Sequence, residues 1–460
     1  MNVNGIIAEY NPFHNGHKYQ LEESGRLTGA EYTVVVMSGN FVQRGAPALV
    51  DKRLRTEMAL RCGADLVLEL PVLYATASSE YFAAGAVALL DKLGTVTHLC
   101  FGSECGDAAA LGQIAAFFAE EPESYRADLK RLLKHGLSYP DARARALSLQ
   151  SDVPETRANT FPPLSGSSEN AGKPLQEQTG FSGNGCDVRP SRLPLPDNCA
   201  EILSSPNNIL GIDYIKEIIK RKSSIIPVTV KRLGAGYHDA LLPEDTKCPK
   251  TSPISALAIR QILRGGQLPS GLRSFMPEEV WQLLHTRMSE AGLVYPDSLS
   301  GLLYYKLLLE REQGYEKYLD VSADLSNRIR NGLNRFTGFI PFCDLLKTKA
   351  FTHTRISRCL LHILLDIEAD DMRRGRAQDD TPYARVLGFR KSARPLLHAV
   401  RAHSSIPLIT KLADAPRNLP AEADRLLKQD ILASEIYQGI AYGGTGQPAP
   451  NEFSTPLVIL

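Results

Sequence analysis

The chain has almost no net charge: 52 Lys and Arg against 51 Asp and Glu leave +1 over 460 residues. The whole protein is therefore no electrostatic magnet for nucleic acid, and any nucleic-acid surface must be a local patch. Its eight cysteines, at positions 62, 100, 105, 186, 199, 248, 343 and 359, form no CxxC pair and no Cys/His cluster with zinc spacing. Several, such as Cys100 and Cys359, sit in apolar runs and read as small buried hydrophobes, a usage that fits a reducing compartment. No apolar run approaches the roughly 20 residues a membrane helix needs. The first residues also lack the basic-then-apolar pattern of a secretory signal. The expectation is a cytoplasmic protein with neither a membrane nor DNA as partner.

What is present is ordinary for a globular protein: 43% hydrophobic and 22% charged residues, over a length suited to two or three domains. The first hundred residues alternate. Short runs rich in Val, Ile and Leu at Val3–Glu9, Tyr32–Met37, Ala64–Leu70 and Thr95–Phe101 each stop at a turn. Between them, Asp51–Cys62 begins with an N-cap Asp, and Ser79–Leu93 is apolar around most of its circumference. Strands and helices in this order predict an α/β fold with a Rossmann-like parallel sheet buried on both faces. Ligands of such sheets bind beyond the carboxyl ends of the strands.

A helical stretch over about 110–150 follows, and then the composition breaks. In Ser151–Asn198, 22 of 48 residues are Pro, Gly, Ser or Asn, which reads as a flexible insertion. Order resumes with an apolar helix entry at Ala200, a long amphipathic helix and a strand at Ile225–Val230. From about Pro269 strand signals become scarce. Helical patterns dominate at Glu278–Ser289, Ser298–Arg311 (with Ser298 as N-cap), Ala323–Arg335, Arg355–Ile367 and Ala421–Ala441. The expected division is 1–150, a flexible 151–198, completion of the first domain over 199–268, and a mostly helical domain over 269–460.

The chemistry is concentrated after the first strand. Tyr10-Asn11-Pro12-Phe13-His14-Asn15-Gly16-His17 leads into a helix carrying Lys18, Tyr19 and Leu21. Gly16 lets the backbone turn tightly and approach a ligand. His17 stands at the helix N-terminus, where free N–H groups and the dipole favour phosphate, and His14 reaches the same point from the preceding turn. Two imidazoles and a helix N-terminus suit a transition state with charge spread over phosphoryl oxygens. A zinc role is weaker, because two histidines on a loop with no third ligand nearby are not the usual set.

An HxGH loop between a first strand and a first helix resembles that of the nucleotidyltransferase superfamily. Ile254-Ser255-Ala256-Leu257-Ala258-Ile259-Arg260 is similar to its second phosphate motif, ISSTxxR, with Ser255 and Arg260 in the matching places. Ala256 and Leu257 replace the second serine and the threonine, so those hydroxyl contacts are not available. A closer resemblance is to the bacterial tRNA(Met) cytidine acetate ligases. It is carried by GIIAEYNPFHNGHKYQL, SGNFVQRGAPALVDKRLRTEMAL, GADLVLELP, FGSE, SPNNILGIDYIK, VKRLGAGYHD and FTHTRISRCLLHILL, which cover most of the chain in the family's order. The insertion Ser151–Asn198 is the main departure.

That resemblance implies an enzyme that activates acetate with ATP, releasing pyrophosphate. Acetyl-adenylate then passes its acetyl group to N4 of the wobble cytidine of elongator tRNA(Met). The implied catalytic residues are His14 and His17. The implied ATP site spans Ile7, Ala8, Glu9, Tyr10, Asn11, Pro12, Phe13, His14, Asn15, Gly16, His17, Lys18, Tyr19 and Gln20, with Gly102, Asn207 or Asn208, Arg232, Ser255 and Arg260. Mg²⁺ would accompany ATP. Read from the residues alone, Asn207 and Asn208 after Pro206 can equally be caps of the next helix.

The helical region has its own basic stretches: Arg328, Arg330 and Arg335 on one predicted helix, and Lys347, Lys349, Arg355 and Arg358 around FTHTRISR. Phe351 and His353 lie among them and can stack on a base. A solvated charged face is the ordinary explanation of such runs, but beside a suspected tRNA substrate phosphate contacts are the favoured reading. Arg373, Arg374 and Arg376 neighbour acidic residues and are less persuasive. Two other functions fit the motif: a small-molecule adenylyltransferase, and an RNA-binding protein with a regulatory nucleotide site.

Overall fold

The computed structural model describes residues 1–137, 139–150, 195–196, 198–232, 254–415, 419–443 and 445–460. Nearly all of the expected insertion, Cys186, Cys248 and most of VKRLGAGYHD lie outside the described residues.

The described residues form ten strands: β1 (Val3–Ala8), β2 (Tyr32–Ser38), β3 (Phe41–Val42), β4 (Ala46–Pro47), β5 (Leu66–Leu70), β6 (His98–Ser103), β7 (Ile226–Lys231), β8 (Ala384–Phe389), β9 (Leu408–Ile409) and β10 (Val458–Ile459). The main sheet runs β10-β8-β5-β2-β1-β6-β7, with β9 also on β8, while β3 and β4 form a separate hairpin. Neighbours from β5 to β7 are all parallel. The chain builds outward from β1 through β2 to β5, then returns to β1's other side with β6 and β7. That reversal opens a crevice at the carboxyl ends of β1 and β6, where ligands of such sheets bind.

Successive strand residues face opposite sides, and both sides are covered. Ile7, Val34, Val36, Leu66 and Leu68 pack with helices Ser79–Lys92, Ala108–Glu120 and Pro206–Arg221, and the same cluster continues into helices His353–Leu364 and Ala421–Tyr442. Ile6, Val35, Met37, Val67 and Cys100 pack on the other side with α1 (Asn15–Thr28), α2 (Lys52–Arg61), Ala256–Leu263 and Glu278–Glu290. Asp51 caps α2 as expected, its Oδ1 accepting from Arg53 N and Leu54 N, both at 3.0 Å.

Two features depart from the sequence reading. Strand β8, from the region expected to be helical, joins the sheet antiparallel to β5. Arg385 on β8 lies opposite Glu69 on β5 and pairs with it at 3.0 Å; Lys52 meets the same carboxylate at 2.7 Å. A buried cation needs such partners, and they are remote in sequence. Ser298 does not cap a helix. It lies inside a 3₁₀ turn, Pro296–Leu299, where its Oγ accepts from Tyr295 N at 3.2 Å.

Candidate active site

The loop between β1 and α1 is held from several directions. Tyr10, Phe13 and His17 pack ring against ring, with centroids 4.7 Å apart for Tyr10–Phe13, 5.0 Å for Tyr10–His17 and 5.4 Å for Phe13–His17. Asn11 Oδ1 accepts from Leu49 N at 2.8 Å, and Arg260 Nη1 donates to Asn11 O at 2.5 Å. Asn15 Nδ2 donates to Ser274 O at 2.9 Å. Arg55, fully buried on α2, donates through Nη1 to Glu9 O (2.7 Å) and Ser38 O (3.0 Å), through Nε to Val50 O (3.0 Å), and through Nη2 to Gly39 O. One guanidinium thus ties together the ends of β1 and β2.

His14 is the N-cap of α1, and its ring accepts from Gly16 N at Nδ1 (3.0 Å). His17 reaches back, its Nδ1 accepting from His14 N at 3.2 Å. The two imidazoles stack with centroids 3.8 Å apart. Burial, with Arg232 and Arg260 nearby, pushes His14 down to about 3. Burial, then His14 and Arg232, holds His17 well below 6.5. Both rings are neutral near pH 7. Because each Nδ1 is an acceptor, the remaining proton of each sits on Nε2. The pair therefore offers two N–H donors beside the N-terminus of α1, suited to phosphoryl oxygens.

Gly16 serves a purpose other than a sharp turn. It lies in the first turn of α1, and a Cβ there would stand 2.9 Å from His14 Cε1. The missing side chain leaves room for the imidazole.

The other predicted ATP-site residues fall into three groups. Ile7, Tyr10 and Phe13 are buried in the core and shape the loop from behind. Ala8, Pro12, Lys18, Tyr19 and Gln20 follow the loop's course, the last three on the half-buried first turns of α1. Glu9 accepts from Gln43 N at 2.8 Å. Across the crevice, Gly102 leaves space for Arg232, whose Cγ would be 3.4 Å from a Cβ at that position. Arg232 is exposed, yet close enough to depress both histidines.

The asparagines differ. Asn208 is buried and engaged at both ends, Oδ1 accepting from Glu104 N (2.9 Å) and Cys105 N (3.2 Å), Nδ2 donating to Ile202 O (3.0 Å). It anchors the turn after β6. Asn207 is half-buried and donates to Glu104 Oε1 at 2.6 Å. Neither caps the helix Pro206–Arg221 through its side chain. Ser255 caps Ala256–Leu263, accepting from Ala258 N at 3.2 Å, and that helix aims Arg260 at the loop.

In the helical region Arg335, Lys347 and Lys349 are exposed, and Arg328, Arg330, Arg355 and Arg358 are half-buried. Arg328 donates to Leu346 O at 3.2 Å. None of the seven is ion-paired among the described residues. By contrast, Arg373, Arg374 and Arg376 are paired with Asp370 (2.9 Å), Asp370 (2.6 Å) and Asp380 (2.9 Å). Phe351, expected as a stacking surface, is buried beneath the Arg355 guanidinium at 5.0 Å. His353 is half-buried, 3.7 Å from Asp344. Sequence reasoning missed Arg55, which looked like one of several charges on an amphipathic helix.

The HIGH Nucleotidyl Transferase family model matches residues 1–447. The chain is 36% identical over 464 residues to the tRNA(Met) cytidine acetate ligase of Acetivibrio thermocellus, with 100% of both covered. It is 37% identical over 466 residues to that of Clostridium kluyveri, covering 100% of this chain and 99% of the relative. Its fold is similar to the crystal structure of Thermotoga maritima TmcAL bound with alpha-thio ATP, with a TM-score of 0.82, 29% identity and full coverage of both. The apo form of that protein gives a TM-score of 0.84 at 30% identity, again with full coverage. With the paired histidines at the sheet's switch point and likeness along its whole length, the chain belongs to the HIGH nucleotidyl transferases and, among them, to the tRNA(Met) cytidine acetate ligase family.

Proposed function

We propose that this chain is a cytoplasmic ligase that activates acetate with ATP and acetylates N4 of the wobble cytidine of elongator tRNA(Met). The observation that carries the reading is the His14–His17 pair, two neutral rings with Nε2–H donors at the N-terminus of α1. ATP lies over the crevice between β1 and β6, its α-phosphate at the histidines and its other phosphates toward Arg232 and Arg260. Acetate oxygen bonds to the α-phosphorus, the bond to the bridging oxygen breaks, and pyrophosphate leaves. Charge accumulates on the phosphoryl oxygens, and fixed donors stabilise it without reorganising. The cytidine amine then bonds to the acetyl carbon, AMP leaves with the bonding pair, and one N4 proton is lost.

Mg²⁺ would arrive with the ATP phosphates. Among the described residues no three His, Cys, Asp or Glu side chains are placed to hold a metal ion. The tRNA would lie along the cations Arg328, Arg330, Arg335, Lys347, Lys349, Arg355 and Arg358, none of them ion-paired among the described residues. No described helix is long and apolar enough to cross a membrane.

The test incubates the full chain with ATP, Mg²⁺, radiolabelled acetate and unmodified elongator tRNA(Met). Labelled N4-acetylcytidine that needs both ATP and acetate is expected. Pyrophosphate release with a different acceptor, and no label in RNA, would replace this function by that of a small-molecule adenylyltransferase.

A further inference from the structure

The tip of the β3–β4 hairpin, Gln43-Arg44-Gly45, touches the nucleotide loop on one side and helix His353–Leu364 on the other. Gln43 N donates to Glu9 Oε1 at 2.8 Å. Ser357 Oγ donates to Gly45 O at 2.9 Å. Gly45 has φ +74°, and a Cβ there would stand 2.3 Å from Arg358 N, so the two backbones meet directly. Arg44 sits at this joint.

The cations around the joint form a series. Arg260 grips the HxGH loop through Asn11 O. Arg44 lies within electrostatic reach of Arg260 and Glu9. Beyond the Gly45–Ser357 contact come Arg358 and Arg355, within electrostatic reach of each other, with Asp320 the nearest acidic influence on Arg358. Arg358 Nε is buried with no hydrogen-bond partner, and neither of these two arginines is ion-paired among the described residues. A row of guanidiniums leading into a reaction centre matches a backbone that carries one negative charge per nucleotide.

We propose that Arg44 contacts a phosphodiester beside the reacting cytidine, the hairpin tip being where the RNA strand crosses from helix His353–Leu364 to the nucleotide loop. The inference rests on RNA being the acetyl acceptor. An oxyanion at Arg44 has two other sources, the carboxylate of acetate and the phosphates of ATP, and the experiment separates them.

The full chain and Arg44→Gln are compared in two assays: tRNA acetylation across a salt series, and acetate-dependent ATP–pyrophosphate exchange without RNA. The expected result for Arg44→Gln is a rise of about 10-fold or more in KM for tRNA. The slope of log KM against log salt should shrink by about one, a change that loss of packing alone would not produce. Arg44→Lys should retain the slope. A rise in KM for ATP or acetate in the exchange assay, with the tRNA salt slope unchanged, would assign Arg44 to the first half-reaction and overturn the proposal. So would an Arg44→Gln protein that matches wild type in both assays.

A second arm needs no variant. An anticodon stem-loop with an uncharged methylphosphonate next to the target cytidine should be a poorer substrate for the wild-type chain, and equal use of both RNAs would sink the contact. Wild-type acetylation of tRNA(Met) is the control. Its absence removes the function itself, whereas its presence with an indifferent Arg44 removes only this inference.

Discussion

His14 and His17 each spend Nδ1 on a backbone N–H of their own loop, Gly16 N at 3.0 Å and His14 N at 3.2 Å, and stack at 3.8 Å. The HxGH spacing makes this reciprocal arrangement local. It sets both tautomers before any ligand arrives, so both Nε2–H donors are already fixed.

Asparagine can keep the cap while removing the distal donor, since its Oδ1 occupies the place of Nδ1. His14→Asn and His17→Asn should each remain folded and lose about 10²–10³ in the rate of pyrophosphate exchange. Unchanged exchange in both variants would remove the histidines from the chemistry.

The same histidines make stability depend on pH. Unfolded, each binds a proton near its ordinary value of 6.5; folded, His14 does so only near about 3, and His17 well below 6.5. Between those values the unfolded chain holds more protons, so stability rises with pH and is lost as pH falls below 6.5. The slope is up to about 1.4 kcal/mol per pH unit for each histidine. Thermal unfolding of the ligand-free chain from pH 7 to 5 should show this decline, and His14→Asn should flatten it. Parallel curves for the two proteins would contradict neutral burial of His14.

Gly16→Ala should separate stability from function. Alanine suits a helix, so the unfolding free energy should stay within about 1 kcal/mol of wild type. The new methyl, however, meets the His14 ring at 2.9 Å. Displacing the donor on that scale should cost about 10²-fold in exchange rate. A fully active Gly16→Ala chain would mean the ring has room to move.

Arg55→Met removes a buried cation and leaves four carbonyls, of Glu9, Ser38, Gly39 and Val50, without their donor. A loss of about 3–5 kcal/mol in unfolding free energy is expected, measured by denaturant titration. A loss under about 1 kcal/mol would show that the carbonyls find other partners.

The sequence by itself determined the local features: the alternating runs of β1, β2, β5 and β6, the Asp51 cap, the HxGH loop between first strand and first helix, and the family. The strands, the cap and the loop are set by spacing within a few residues, and the family by the order of short motifs along the chain. Tertiary structure alone decided the rest. Only folding shows that Arg55 reaches two strand ends, that Asn208 spends its amide on the turn after β6, and that Phe351 lies under Arg355. Only folding brings Arg385 to Glu69 and makes β8 an antiparallel neighbour of β5. The Phe351 outcome depends on burial, the others on partners tens to hundreds of residues away, and a charge in a helix reads the same from sequence whether it faces water or a ring of carbonyls.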